Sequence, residues 1–231
     1  MASASAHVPS TIEYLSYSVI PSRFANSVQV MKMCEAFRGN GYDVTLHCRR
    51  GESRIDPSDY YGVSGDFAIR GLAIPRVPIV TRALYTLLTA LRVGWKPGPK
   101  VLYGRDYYLL GTLATLRGID APIVLEVHQP PSGALERTLL RRIFRHPKFA
   151  RLVVISEALR RQYVEVFGDL LGQRVVVAPD GAVEPEPGER GLGPLPTAQD
   201  RVTAGYVGSL NPGKGIDHIV ALAQRVPEVE F

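Results

Sequence analysis

Cysteine is scarce in this chain: Cys34 and Cys48 are the only two among 231 residues. They follow no metal-ligand spacing, so a disulfide framework and a cysteine-based zinc site are excluded. The expectation is two reduced core thiols in a reducing compartment. No apolar run reaches the roughly 20 residues that span a bilayer. The opening stretch MASASAHVPS lacks the basic start and apolar run of a signal peptide. Residues 1–10 therefore read as a short disordered tail, and the protein as cytoplasmic, at most peripheral to a membrane. Neither charge sign dominates: 27 Lys and Arg face 22 Asp and Glu, with a net charge of +5 and no long basic run. Such mild basicity fits an anionic ligand or surface and does not choose between them. Without aromatic-basic interleaving, nothing supports a nucleic-acid partner.

Several chemical signatures are missing too. No G-x-S-x-G elbow occurs. No G-x-G-x-x-G follows the first apolar strand, which argues against a dinucleotide dehydrogenase. No D-x-D pair and no His/Cys cluster is present, so no metal site is expected.

What is present is a chain with 45% hydrophobic residues, enough to bury a sizeable core. Its apolar segments alternate between two periods. Strands are expected at Ile12–Tyr17, Val44–Cys48, Ala68–Val77 (interrupted by Pro75), Val101–Tyr103, Ile123–Val127, Leu152–Ile155 and Val175–Ala178. Helices are expected at Asn26–Arg38, Thr81–Val93, Tyr107–Leu116, Leu135–Phe144 and Glu157–Val166, the last capped by Ser156. Trp95–Pro99 breaks the chain between Val93 and Val101. Strict β/α alternation implies an α/β fold, a doubly wound parallel sheet covered on both faces. That domain is expected to span residues 11–183. A Pro/Gly-rich linker follows at 184–200, and a new βα unit starts at 201–231.

In such sheets, ligands bind beyond the carboxyl ends of the strands. Ser22 and Asn26 follow the first strand, and Arg105 and Asp106 follow Tyr103. Glu126 and His128 end the strand from Ile123; Ser156 and Asp180 follow the next two. Glu126 and His128 sit two residues apart, so they face the same way and can share a proton. A lone histidine at a strand end is otherwise structural, as His47 and His218 read here. Arg105 and Asp106 serve either a ligand or a local salt bridge. On Leu135–Phe144 the apolar residues Leu135, Leu139, Leu140, Ile143 and Phe144 are expected on one face. Arg137, Arg141, Arg142 and Arg145 lie opposite them. That basic face reads as solvated, with an anionic lipid surface as the alternative.

The stretch from Tyr206 to Asp217 reads as a strand, a glycine-rich turn and a helix start. Gly208, Gly213 and Gly215 leave the turn open to an anion, and Lys214 adds a charge. Gly208, Gly213 and Lys214 also fit G-x-x-x-x-G-K-[ST], but Gly215 lacks the hydroxyl that holds magnesium. A glycine-rich βα turn that binds nothing is the remaining alternative.

In order and spacing, these pieces resemble glycosyltransferase family 4, retaining enzymes of the two-domain GT-B fold. The carrying residues are Pro21–Ser27, Ala36–Leu46, Glu126-Val127-His128, Val154–Leu159, Ala178–Gly181, Tyr206–Leu210 and Lys214–Asp217. The resemblance implies an acceptor-holding first Rossmann-like domain and a second that grips a UDP- or GDP-sugar. It implies metal-independent transfer to a glycan or lipid-linked acceptor, with the nucleotide-sugar as substrate and no cofactor. His128, with Glu126, matches the active-site histidine. Gly208, Ser209, Lys214 and Gly215 match the diphosphate turn, although many members carry arginine at the position of Ser209. The first loop lacks the paired glycines of many members. The family's E-x-x-x-x-x-x-x-E follows later in the second domain and is not reached before Phe231. The expectation is thus a fragment, inactive or nearly so by itself. The alternatives are a non-catalytic α/β glycan-binding module and, further off, a phosphate-loop nucleotide-binding protein.

Overall fold

The computed structural model describes residues 11–74, 78–94, 99–115, 120–182, 202–208, 210 and 213–231. It divides into two compact units, one ending at Asp180 and the other running from Gly181 to Phe231. The expected linker at 184–200 lies outside the described residues, as do Pro75, Trp95–Gly98 and Ser209.

The first unit alternates strand and helix along its length. Its elements are β1 (Thr11–Ile20), α1 (Ala25–Gly39), β2 (Asp43–Arg50), α2 (Pro57–Tyr61), β3 (Ala68–Leu72) and α3 (Pro78–Gly94). Then come β4 (Lys100–Gly104), α4 (Tyr107–Leu113), β5 (Ile123–Val127), α5 (Ala134–Arg145), β6 (Phe149–Val154), α6 (Glu157–Leu171) and β7 (Val175–Val177). The seven strands form one sheet in the order β3-β2-β1-β4-β5-β6-β7, every neighbouring pair parallel. The order reverses direction between β1 and β4, which places the binding crevice of this topology outside their carboxyl ends.

Alternation along β1 feeds two cores. Tyr14 joins Val30, Met31, Cys34 and Leu46 on the α1 side, whereas Leu15 joins Tyr85, Leu109, Leu140 and Tyr163 on the side of α3 to α6. Burial pushes the Cys48 thiol up to about 12 and raises that of Cys34 further, so both are inert core groups.

Side-chain caps set several helix starts. The Asp106 carboxylate accepts from the Tyr108 and Leu109 amides, and Ser156 Oγ accepts from Leu159 N at 3.2 Å. Asp56, Pro57 and Gly62 bracket α2: cap, first position and left-handed stop at φ 56°. This helix was not expected from the pattern, because five residues are too few to show a period. Other departures have physical causes. Leu135 is exposed in the first turn of α5, one turn ahead of the buried stripe Leu139, Leu140, Ile143 and Phe144. Helix α6 runs on to Leu171 through a non-helical Phe167, where Val166 had been expected to end it.

Gly104 is required where β4 meets β1. A Cβ there would stand 2.4 Å from the Leu15 carbonyl oxygen. Pairing of β1 with β4 stops at this Leu15–Gly104 contact, while pairing with β2 resumes at Val19–Arg49. The edge from Ser16 to Ser18 is therefore released, and the crevice opens there.

In the second unit, β8 (Val202–Thr203) pairs in parallel with β9 (Val229–Glu230), and α7 (Ile216–Arg225) lies between them in sequence. The strand before the glycine turn is thus Val202–Thr203; residues 204–207 carry no regular structure. Lys214 precedes the helix and is not in its first turn, because Gly215 is the N-cap. None of the described residues of this unit is buried.

Candidate functional site

Glu126 is the penultimate residue of β5, and His128 follows the strand's end. Alternation turns both side chains to the α1 side of the sheet. Glu126 is 3% exposed, yet it is surrounded by donors. Its Oε1 lies 2.5 Å from His128 Nε2 and accepts from Gln29 Nε2 at 3.2 Å. Its Oε2 accepts from the Tyr103 hydroxyl at 2.5 Å, and Arg105 Nε stands 3.7 Å from Oε1. Burial alone would raise the Glu126 carboxyl. The hydrogen bonds from His128 and Tyr103 and the Arg105 charge outweigh it and hold the group below its ordinary value. Tyr103 moves upward, by burial first and the Glu126 charge second, so its hydroxyl stays a donor.

The second ring nitrogen of His128 faces another carboxylate: Nδ1 is 3.6 Å from Asp180 Oδ2. Asp180 is half exposed at the end of the unit, and its Oδ1 accepts from Gln29 Nε2 at 2.6 Å. The Gln29 carbonyl in turn accepts from Arg105 Nη1. Gln29 therefore ties Glu126, Asp180 and Arg105 together from α1. With Nε2 on the buried glutamate, Nδ1 is the ring nitrogen turned toward the half-exposed Asp180.

Among the described residues, Glu126, His128 and Asp180 offer ligand atoms within 4.8 Å of one another, a spacing that could admit a cation. The chemistry fits poorly. Their lone pairs already meet Gln29, Tyr103 and Arg105, and the guanidinium repels a metal ion.

Two cavities of about 260 Å³ each open here, and Arg105 and Tyr107 line both. One holds Glu126, His128, Gln129, Ser132 and Glu136. The other, at the released edge of β1, holds Ser16, Tyr17, Ser18, Asn26, Arg82 and Tyr108. Arg82 bonds Asp106 Oδ2 at 2.7 Å and lies 3.8 Å from the Tyr17 ring centre and 4.6 Å from that of Tyr108. Burial raises the Asp106 carboxyl, and the Arg82 charge opposes that.

The structure thus brings His128, Glu126, Asp180 and Arg105 into one network. Asn26 lines the neighbouring cavity and donates to Ser18 Oγ at 3.1 Å. Arg105 and Asp106 do not pair with each other, as the local-bridge alternative supposed; each takes a partner distant in sequence. Ser22 belongs to a loop network, its Oγ bonding Ser27 Oγ and its amide donating to Tyr61. Ser156 spends its hydroxyl on the α6 cap. Gly208, Lys214 and Gly215 lie in the second unit. There Gly213 and Gly215 take φ of 84° and 78°, which favour glycine. At Gly208 a Cβ would stand 2.5 Å from the Tyr206 hydroxyl oxygen.

Gln29, Tyr103 and Arg82 were missed by sequence reasoning. Gln29 carried a signal: it lies one helical turn after Asn26, so the two share a face of α1.

The family profile described as glycosyl transferase 4-like domain matches residues 27–181, two thirds of the chain and the whole of this network. The chain belongs to that family. Two solved structures share its fold. HepE of Anabaena, in complex with UDP and glucose, is similar at a TM-score of 0.62 with 15% identity, over 94% of this chain and 59% of HepE. The lipopolysaccharide outer core galactosyltransferase WaaB, in its apo form, is similar at 0.57 with 9% identity, over 95% of this chain and 66% of WaaB. The chain thus spans less than two thirds of either. A search of curated proteins finds no match. The fold is accordingly the Rossmann-like α/β sheet of GT-B glycosyltransferases, with part of a second such domain. Among the described residues, no helix is long and apolar enough to cross a membrane.

Proposed function

We propose that this chain forms the acceptor side, and the start of the donor side, of a retaining glycosyltransferase. It would move a sugar from a UDP- or GDP-sugar to a glycan or lipid-linked acceptor without a metal ion. The observation that supports this reading most is the Glu126–His128 pair. It sits at the carboxyl end of β5, with Nε2 anchored at 2.5 Å and Nδ1 turned to a half-exposed carboxylate beside a cavity. Glu126 anchors the imidazole through Nε2 and fixes its orientation. His128 handles the proton of the acceptor hydroxyl, and Arg105 and Gln29 position the pair. The cavities offer hydrogen-bonding side chains and tyrosine rings, which suit sugar hydroxyls and sugar faces. Lys214 and the open turn at Gly213–Gly215 bind the diphosphate, with the N-terminus of α7 adding its dipole.

Calorimetry with UDP, GDP and their sugar conjugates tests the reading. Binding should persist in EDTA, and Lys214→Ala should weaken it about tenfold to a hundredfold, the usual worth of one charge-assisted contact. Glycan binding with no nucleotide binding would make the chain a glycan-binding module. Magnesium-dependent ATP or GTP binding lost in Lys214→Ala would make it a phosphate-loop protein.

A further inference from the structure

Strand β1 loses step with β2 near its end. Leu15 pairs with His47 and Val19 with Arg49, so Ser16, Tyr17 and Ser18 stand against Cys48 alone. Such a bulge re-aims the side chains it carries, and Tyr17 lines the cavity at this edge. Two arginines from different elements lie over its ring. The guanidinium carbon of Arg82, from α3, is 3.8 Å from the ring centre, and that of Arg49, from β2, is 4.7 Å away. Among the described residues, Asp106 is the one carboxylate bonded to either arginine. Its Oδ2 accepts from Arg82 Nη1, while Oδ1 accepts from the α4 amides. Arg49 has the Tyr17 ring as its partner and neither a hydrogen bond nor an ion pair among the described residues.

Two guanidinium groups on one ring repel each other, and an anion taken up beside them relieves the repulsion. Asp106 engages one nitrogen of Arg82, so the rest of that planar fork remains for a ligand. A fork of this kind meets a carboxylate or a phosphate with paired N–H···O bonds. The neighbouring cavity has the opposite character, since Glu126 and Glu136 line it. Arg105 and Tyr107 form the wall common to both cavities, so a ligand of two units can place one in each. We infer that Arg49 and Arg82 form an anion subsite at the Tyr17 wall of the β1 cavity, which selects an acceptor carrying a carboxylate or phosphate on the unit next to the one held at His128. That an acceptor is the occupant rests on the transferase reading; the subsite itself rests on the bulge, the shared ring and the unpaired Arg49.

Ligand-observed NMR titrations at low salt test the inference without turnover. The probes are methyl glucoside, the matching methyl glucuronide and the matching phosphate ester, which differ at one carbon. At least one anionic probe should bind about tenfold more tightly than the neutral one, and which of the two gains more tells a uronic acid from a phosphate. Arg49→Gln should lower that preference by about tenfold. Its melting temperature should hold, because the substitution strands no hydrogen-bond or ion-pair partner. Arg82→Lys keeps a cation for Asp106 without the fork, and should weaken the anionic probes alone. The inference is overturned if all three probes bind alike or none binds, or if Arg49→Gln keeps the preference. It is also overturned if Lys214→Ala removes the preference, which assigns the anion to the glycine turn. Calorimetry with UDP on the same samples separates the two readings. UDP binding without the preference leaves the transferase reading and removes the subsite, whereas the preference without nucleotide binding keeps the subsite and removes the transferase.

Discussion

Two carboxylate–imidazole pairs with the same 2.5 Å contact occur in one sheet. Glu13 and His47 meet across β1 and β2, and Glu126 and His128 meet at the end of β5. Their surroundings separate them. The side chains of Glu13 and His47 are 3% and 2% exposed, sealed inside the sheet. The His128 side chain is 16% exposed, beside a cavity, with a second carboxylate at its free nitrogen. A geometry that can move a proton does so only where a ligand can reach it. The buried pair lacks that access and serves the fold.

The comparison predicts opposite consequences for similar substitutions. The largest effect is kinetic. His128→Ala should take the chain's slow sugar transfer to background, since a positioned acid–base group contributes about 10² to 10⁴. Melting should fall less than in the buried pair, because the ring is partly solvated and Tyr103 and Gln29 still donate to the Glu126 carboxylate. The next is thermodynamic. Glu13→Leu strands the His47 ring without its partner and should cost about 2–4 kcal/mol by urea unfolding. An equal loss of stability in both variants would erase the distinction.

Gly104→Ala acts on the junction that opens the crevice. Its Cβ would meet the Leu15 carbonyl at 2.4 Å, so β1 and β4 must separate at a cost of about 1–3 kcal/mol. Arg105, the next residue, would shift with them. A variant as stable as the parent would mean that the contact relaxes freely.

The smallest effect is the pH dependence. The Glu126 carboxyl is held below its ordinary value of 4.5 in the folded protein. Its contribution is therefore complete above that value and fades as pH falls through the lowered folded one. The stability gap between the parent and Glu126→Gln should be flat above about pH 5, and it should narrow in acid as the carboxylate protonates. A gap that widens in acid would show that burial, which pushes the carboxyl up, outweighs its hydrogen bonds.

The fold of the first unit was legible because each strand carried its own apolar run and each helix except the five-residue α2 its own stripe. Local capping chemistry was legible at Ser156. Glu126 and His128 were visible because strand alternation is a local rule, two residues apart. The Glu13–His47 pair was not, since 34 positions separate its members and only sheet register joins them. Gln29 and Tyr103 reach Glu126 from 97 and 23 positions away for the same reason.

The most direct test pairs His128→Ala with His47→Ala. Both are assayed for melting temperature and for transfer from radiolabelled UDP- and GDP-sugars, a format that registers slow turnover. The account predicts a dissociation: His128→Ala loses transfer with the smaller fall in melting temperature, whereas His47→Ala melts lower still and, while folded, keeps the transfer it has. Transfer undiminished in His128→Ala, or lost equally in both variants while folded, would contradict it.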